Sequence, residues 1–219
     1  MAKTFSINTF SLSLSLLLLL IATSFPGGAA ALDYPRDALR DINNKMIVAG
    51  AIYLMHNTDG NFPVFFTNVG QSVCPSFVAV DTSDRIAFPL RILLADPGET
   101  FVRLNVSVSF QFKNTVYCVN SSVWQVALPS QNINGQRLIT LGGEQGPPGC
   151  NTVQNWFKIN RDPRNGYNIV YDPNDVCNIP VQRYSVAPGI NIVNEARILQ
   201  LVNGRPMQVV FELANSNDD

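Results

Sequence analysis

Few side chains in this chain could do chemistry, and the first is its single histidine, His56, beside the turn-forming run 57–61. A hydrolytic triad sets a base against a nucleophile, and a zinc site takes several His or Cys ligands. Neither grouping is present, so His56 reads as an exposed residue at a strand end. Carboxylates at the separation a glycosidase uses would have to come from Asp81 with Asp84, Asp172 with Asp175, or Glu144. Each lies among Pro, Gly, Asn or Ser, where Asp is favoured because it hydrogen-bonds its own backbone. The glycine-rich run 142–146 lacks the Lys-Ser/Thr and the helix that a phosphate cradle needs. The residues point away from catalysis, and no metal or cofactor is expected.

The four cysteines carry different chemistry. Cys74, Cys118, Cys150 and Cys177 all follow an N-terminal stretch built as a secretory leader: Lys3, an apolar run over 12–21, then small residues at 27–31. We take residues 1–31 as a signal peptide and 32–219 as one domain. Losing Lys3 with the leader takes the formal net charge from -1 to -2, which suits neither nucleic acid nor an anionic membrane surface. An exported chain oxidises its cysteines. Three pairings are possible, and joining Cys74 to Cys118 would stabilise the fold by roughly 4 kcal/mol in the chain-entropy model. Two glycosylation sequons, Asn105-Val106-Ser107 and Asn120-Ser121-Ser122, fit the same compartment.

Strands position these residues. Apolar residues 102, 104, 106, 108, 110 and 112 alternate with Arg103, Asn105, Ser107, Ser109 and Gln111. That period of two predicts a strand over 102–112 whose polar face meets solvent. Similar segments recur at 46–55, 77–80, 88–94, 123–128, 137–141, 156–159, 167–171, 197–202 and 207–213, separated by Gly-, Pro- and Asn-rich turns. No segment keeps a helical period with caps at both ends. The chain is all-β, a sandwich or a barrel-like fold, with about ten strands. Gln154-Asn155-Trp156 matches the Gln-x-Trp element of ricin-type sugar-binding domains once, without the repeats such a lectin needs, and Trp156 to Ile159 reads as a core hairpin.

In order, Cys74-Pro75, Phe88-Pro89-Leu90, Cys118, Ser122-Val123-Trp124, Asn155-Trp156-Phe157-Lys158-Ile159, Tyr167-Asn168-Ile169-Val170, Arg197-Ile198-Leu199 and the closing strand 206–213 resemble the plant Kunitz-type, soybean trypsin inhibitor-like family. The resemblance implies a single-domain β-trefoil of twelve strands and a Cys74–Cys118 disulfide. It implies a target protease as partner, a monomer with no nucleic-acid or membrane partner, and a secreted (extracellular or vacuolar) glycoprotein. In that family an exposed loop, held rigid, enters a protease cleft in substrate-like form, and Arg or Lys at the primary position suits trypsin, Leu or an aromatic chymotrypsin-like enzymes, and Ala elastase-like ones.

Here the loop should run over about 91–100, in one of two registers. Pro89-Leu90-Arg91-Ile92 matches a trypsin-inhibiting pattern and puts Arg91 and Ile92 at the centre. Counting back from Cys118 centres it on Leu94, Ala95 and Asp96 instead, which strand length favours. Asp37 stands where the family has a loop-bracing Asn, and a carboxylate cannot donate as an amide does. Tyr171 stands in place of the third cysteine, leaving Cys150 with Cys177 as a possible second bond. The resulting expectation is an inhibitor of an endopeptidase of the serine class. The alternative is a non-inhibitory storage or ligand-binding trefoil; a secreted hydrolase lacks its base and nucleophile.

Overall fold

The computed structural model describes residues 35–68, 74, 76–81, 87–114, 118–129, 135–178, 180–193 and 196–215; the expected leader, 1–31, lies outside them. Twelve strands are present among the described residues: β1 (Ile52–Asn57), β2 (Phe62–Thr67), β3 (Phe77–Asp81), β4 (Leu90–Leu94), β5 (Ser107–Phe112) and β6 (Trp124–Val126). They continue as β7 (Ile139–Leu141), β8 (Phe157–Arg161), β9 (Tyr167–Tyr171), β10 (Tyr184–Val193), β11 (Ala196–Val202) and β12 (Gln208–Leu213).

Six of them close a ring. β1 pairs with β4, β4 with β5, β5 with β8, β8 with β9, β9 with β12, and β12 returns to β1, every pair antiparallel. The other six form hairpins β2–β3, β6–β7 and β10–β11, which join one another through β3–β7 and β3–β11. A six-stranded barrel with three hairpins is the β-trefoil arrangement. The barrel is filled by alternate residues of its strands, among them Met55, Ile92, Phe110, Phe157, Ile169 and Phe211. Trp124 enters from β6 and packs 4.9 Å from Phe110 and 5.7 Å from Phe112 between ring centroids. A second, smaller cluster draws Phe65 and Ala79 from one hairpin, Ala127 and Leu138 from the next, and Ala196 and Ile198 from the third.

Three expectations need correction. The strand foreseen over 102–112 begins at Ser107, because Asn105 has φ 61°, a left-handed conformation that Asn tolerates and that breaks the pleat. Its polar face is not open to solvent either: Ser107 and Ser109 are buried. Ser107 Oγ donates to Asp175 at 2.9 Å, from a segment 68 residues away. The strand foreseen over 46–55 begins at Ile52, with 46–48 forming single bridges to Arg40 and Phe101 instead. Strands β2 and β10 went unforeseen, each containing a proline, Pro63 and Pro188; β10 tolerates its own through a register shift between Pro188 and Ile192. A 3-10 helix at Cys150–Asn155 was also unforeseen.

The β8–β9 turn shows how local chemistry secures the ladder. Asp162 is buried beneath Arg164, whose backbone N–H, Nε and Nη2 all donate to its carboxylate at 2.8 to 3.0 Å. These bonds, the Arg164 side chain foremost, hold the carboxyl down from 3.8 to about 2. A folded-state pKa below the unfolded one stabilises the fold at pH above 3.8, and the contribution is lost as pH falls toward 2. Thermal melts should therefore show Asp162→Asn less stable than wild type at pH 6, with the gap closing as pH drops to 2. A gap that stayed constant across that range would contradict the assignment.

Candidate functional site

The connection from β4 to β5 is the segment that the sequence marked, and it divides into a turn and a clamped strand-like stretch. Asp96 makes the turn: its carboxylate accepts from the Gly98 N–H at 2.9 Å and its carbonyl from the Glu99 N–H at 3.3 Å. Asp96, Pro97 and Gly98 are exposed, while Ala95 and Glu99 are half-buried. The turn is closed at its base by the Ala95 N–H donating to the Ser107 carbonyl at 3.2 Å. Glu99 and Arg103, four apart, form an ion pair at 2.7 Å.

Residues 100–104 lie between two other pieces of chain. On one side Ala49 N–H donates to Thr100 O and Val102 N–H to Ile47 O, each at 2.9 Å. On the other, Leu39 N–H donates to Val102 O at 2.8 Å and Leu104 N–H to Asp37 O at 3.0 Å. Asn105 N–H then donates to Ile159 O at 2.9 Å, on β8. Asp37 thus contacts this stretch through its backbone carbonyl. Sequence reasoning missed this clamp because its members are over 50 residues apart and pair only through backbone; the Glu99 and Arg103 spacing was the one local signal available.

Arg91 and Ile92 are not in this connection. Both sit in β4, with Arg91 opposite Ile52 on β1 and Gln111 on β5, and Ile92 is wholly buried. The register centred on Arg91 thus falls within a strand paired on both edges, outside the β4–β5 connection. Leu94 is the last residue of β4, opposite Val108, and Ala95 and Asp96 enter the turn. Two disulfides frame the body: Cys74–Cys118, with Cα atoms 5.7 Å apart, and Cys150–Cys177, at 4.8 Å. The second pins the 3-10 helix to the segment after β9. Asn105 and Asn120, the two sequon residues, are exposed.

His56 departs from expectation: its side chain is 16 % exposed, 3.8 Å from Glu212 Oε2, and both ring nitrogens lack hydrogen-bond partners. The pair Asp172 and Asp175 faces Lys158, at 4.0 and 3.2 Å, in place of a substrate cleft. Among the described residues there is no group of three or more His, Cys, Asp or Glu placed to hold a metal ion, and no helix long and apolar enough to cross a membrane.

Residues 39–212 match the family model of the legume Kunitz group, described as trypsin and protease inhibitor. The chain belongs to this family. It is a family of protease inhibitors, not of enzymes. Among relatives, the chain is 31 % identical to miraculin of Synsepalum dulcificum over 73 % of its own length and 75 % of that protein's. It is 26 % identical to Kunitz trypsin inhibitor 5 of Arabidopsis thaliana over 76 % and 81 %. The structure of a Kunitz-type cysteine protease inhibitor from potato superposes with a TM-score of 0.69 at 26 % identity, covering 82 % of this chain and 98 % of that one.

Tyr171 is buried on β9, and the Arg137 guanidinium lies 5.6 Å from its ring centroid and 5.3 Å from that of Tyr184. Burial pushes the Tyr171 phenol up, and Arg137 pulls against it. There the Arg137 cation interacts with two aromatic rings.

The turn geometry makes a specific prediction. Removing the acceptor in Asp96→Ala should lower the unfolding free energy by about 1 kcal/mol, whereas Asp96→Asn, which keeps an acceptor oxygen, should cost much less. Equal losses in denaturant titrations would show that charge, not the acceptor, matters. The half-buried Glu99 and Arg103 pair should show a double-mutant coupling of about 1 kcal/mol or less.

Proposed function

We propose that this protein inhibits an endopeptidase of the serine class, and that the segment 94–100 is what it presents to the enzyme. The observation that carries this reading is the exposed tip 96–98, mounted on a stretch clamped from both sides. A segment already ordered loses little conformational entropy on binding, and cut ends held in place can be rejoined, so the complex persists. No Lys or Arg occurs between 94 and 100, so the enzyme is one that accepts a small or apolar side chain, with Ala95 or Leu94 at the primary position, and not trypsin. Pro97 has no N–H and resists cleavage immediately before it. In this reading the protein acts as a monomer, exported to the extracellular space or vacuole after loss of residues 1–31, with glycans on Asn105 and Asn120.

One observation favours a second reading, a binding or storage trefoil without inhibitory activity. The tip is a closed turn capped by Asp96, where a substrate-like bait is extended. The two readings separate in a stoichiometric titration of trypsin, chymotrypsin, elastase and subtilisin. Inhibition of elastase, chymotrypsin or subtilisin at one-to-one ratio, with trypsin untouched and Ala95→Lys gaining trypsin inhibition, supports the first. The first is overturned by tight trypsin inhibition that Arg91→Ala abolishes. Absence of inhibition across all four, with the wild-type fold intact, leaves the second.

A further inference from the structure

The outer face of β4 and β5 is covered, and the cover does not fit flush. Leu93 and Ser109 are opposite each other on this face. Above them run the loop 143–146 and the 3-10 helix, tied down by the Cys150–Cys177 bond and by Asn155 Nδ2 donating to Glu144 O at 2.8 Å. Between cover and sheet lies a cleft of about 310 Å³ whose walls are Leu93, Leu94, Val123 and Trp156. Ser109 lines it and is 4 % exposed, and its Oγ has no hydrogen-bond partner in the protein. Trp156, 4 % exposed, spends its indole N–H on Thr152 Oγ1 at 3.2 Å, so it offers the cleft only apolar surface. Glu144 and Gln145 stand exposed at the mouth, and among the described residues no basic side chain lines the space.

A buried hydroxyl without a partner is destabilising, and that cost is relieved by a ligand that brings a hydrogen-bonding group to it. The volume lies at the lower end of the roughly 300–1,000 Å³ typical of small-molecule sites, and apolar walls with one placed polar atom are how such sites are built. We propose that this cleft is a binding site for a small, uncharged, ring-bearing alcohol or phenol. The ring packs against Trp156, Leu93 and Val123, and the hydroxyl bonds to Ser109 Oγ. Glu144 at the mouth disfavours anionic ligands of the same shape. The cleft shares Leu94 with the proposed inhibitory segment, but Ser109, Val123, Trp156 and Glu144 lie outside that segment, so changes at Ser109 and Glu144 test small-molecule binding separately from inhibition.

The test uses the intact, disulfide-bonded protein and 2-naphthol as probe, with 2-naphthoate as its anionic counterpart. Binding is followed by calorimetry and by amide and indole NMR shifts. The expected result is saturable one-to-one binding of 2-naphthol, with shifts at Leu93, Leu94, Ser109 and the Trp156 indole, and several-fold weaker binding of 2-naphthoate. Ser109→Ala should weaken 2-naphthol about tenfold, and Leu93→Lys, which replaces an apolar wall with a long charged chain, should do the same. Glu144→Gln should narrow the difference between the two probes. Absence of saturable binding, shifts confined to other surfaces, or unchanged affinity in a folded Ser109→Ala protein would overturn the proposal.

Discussion

The constraint on which the rest depends is a backbone ladder with no free edge. β1 is held by β12 on one side and by β4 on the other, and the ring through β5, β8 and β9 returns to β12. Closure leaves no strand unpaired in the barrel, which removes the edge along which sheets add further strands. It also fixes β4 against β5, so their connection must leave the barrel at a set place and return to it. What side chains add is filling. The aromatic group around Trp124, with Phe110, Phe112 and Phe157, occupies the space the closed ring encloses, and the three hairpins contribute a small cluster of their own.

From that ring follows the character of the candidate contact segment. Its rigidity comes from main-chain hydrogen bonds to 37–39, 47–49 and β8, with only a local turn at Asp96. Such a support is insensitive to side-chain identity, and Asp37 joins it through its backbone carbonyl. At Tyr171 the tie is made by side chains instead, the Arg137 cation interacting with its ring and with that of Tyr184. The remaining cysteines serve to bind covering segments to the body, and the Cys150–Cys177 bond is what holds a lid over Ser109.

How much of this was legible in the sequence depended on whether the deciding contacts were local. β9 and β12 were readable because alternation alone sets a strand with one buried face, and β9 falls at 167–171 as expected. β2 and β10 were hidden by Pro63 and Pro188, which argue against strands unless the pairing around them is known. Ser107 and Ser109 read as a solvent face because nothing nearby in sequence reveals that 143–155 and Asp175 cover them. The place of Arg91 within β4 was hidden for a related reason: a four-residue match carries no information about Ile52 and Gln111, its neighbours across the sheet. Asn105 held a signal that was not read as one, since Asn is the non-glycine residue most at home with positive φ and could have marked the end of the strand pattern. The ordered landmarks of the Kunitz family, by contrast, were legible because they are spread over the whole barrel.

The central claim is that the β4–β5 connection is a clamped, pre-ordered segment, and residue-resolved amide hydrogen exchange tests it most directly. The account predicts that the amides of Ala95, Val102, Leu104 and Asn105 exchange slower than in an unstructured peptide by about a hundredfold or more, in step with the flanking strands. Exchange at unstructured-peptide rates over 95–105, with the barrel amides still protected, would contradict it.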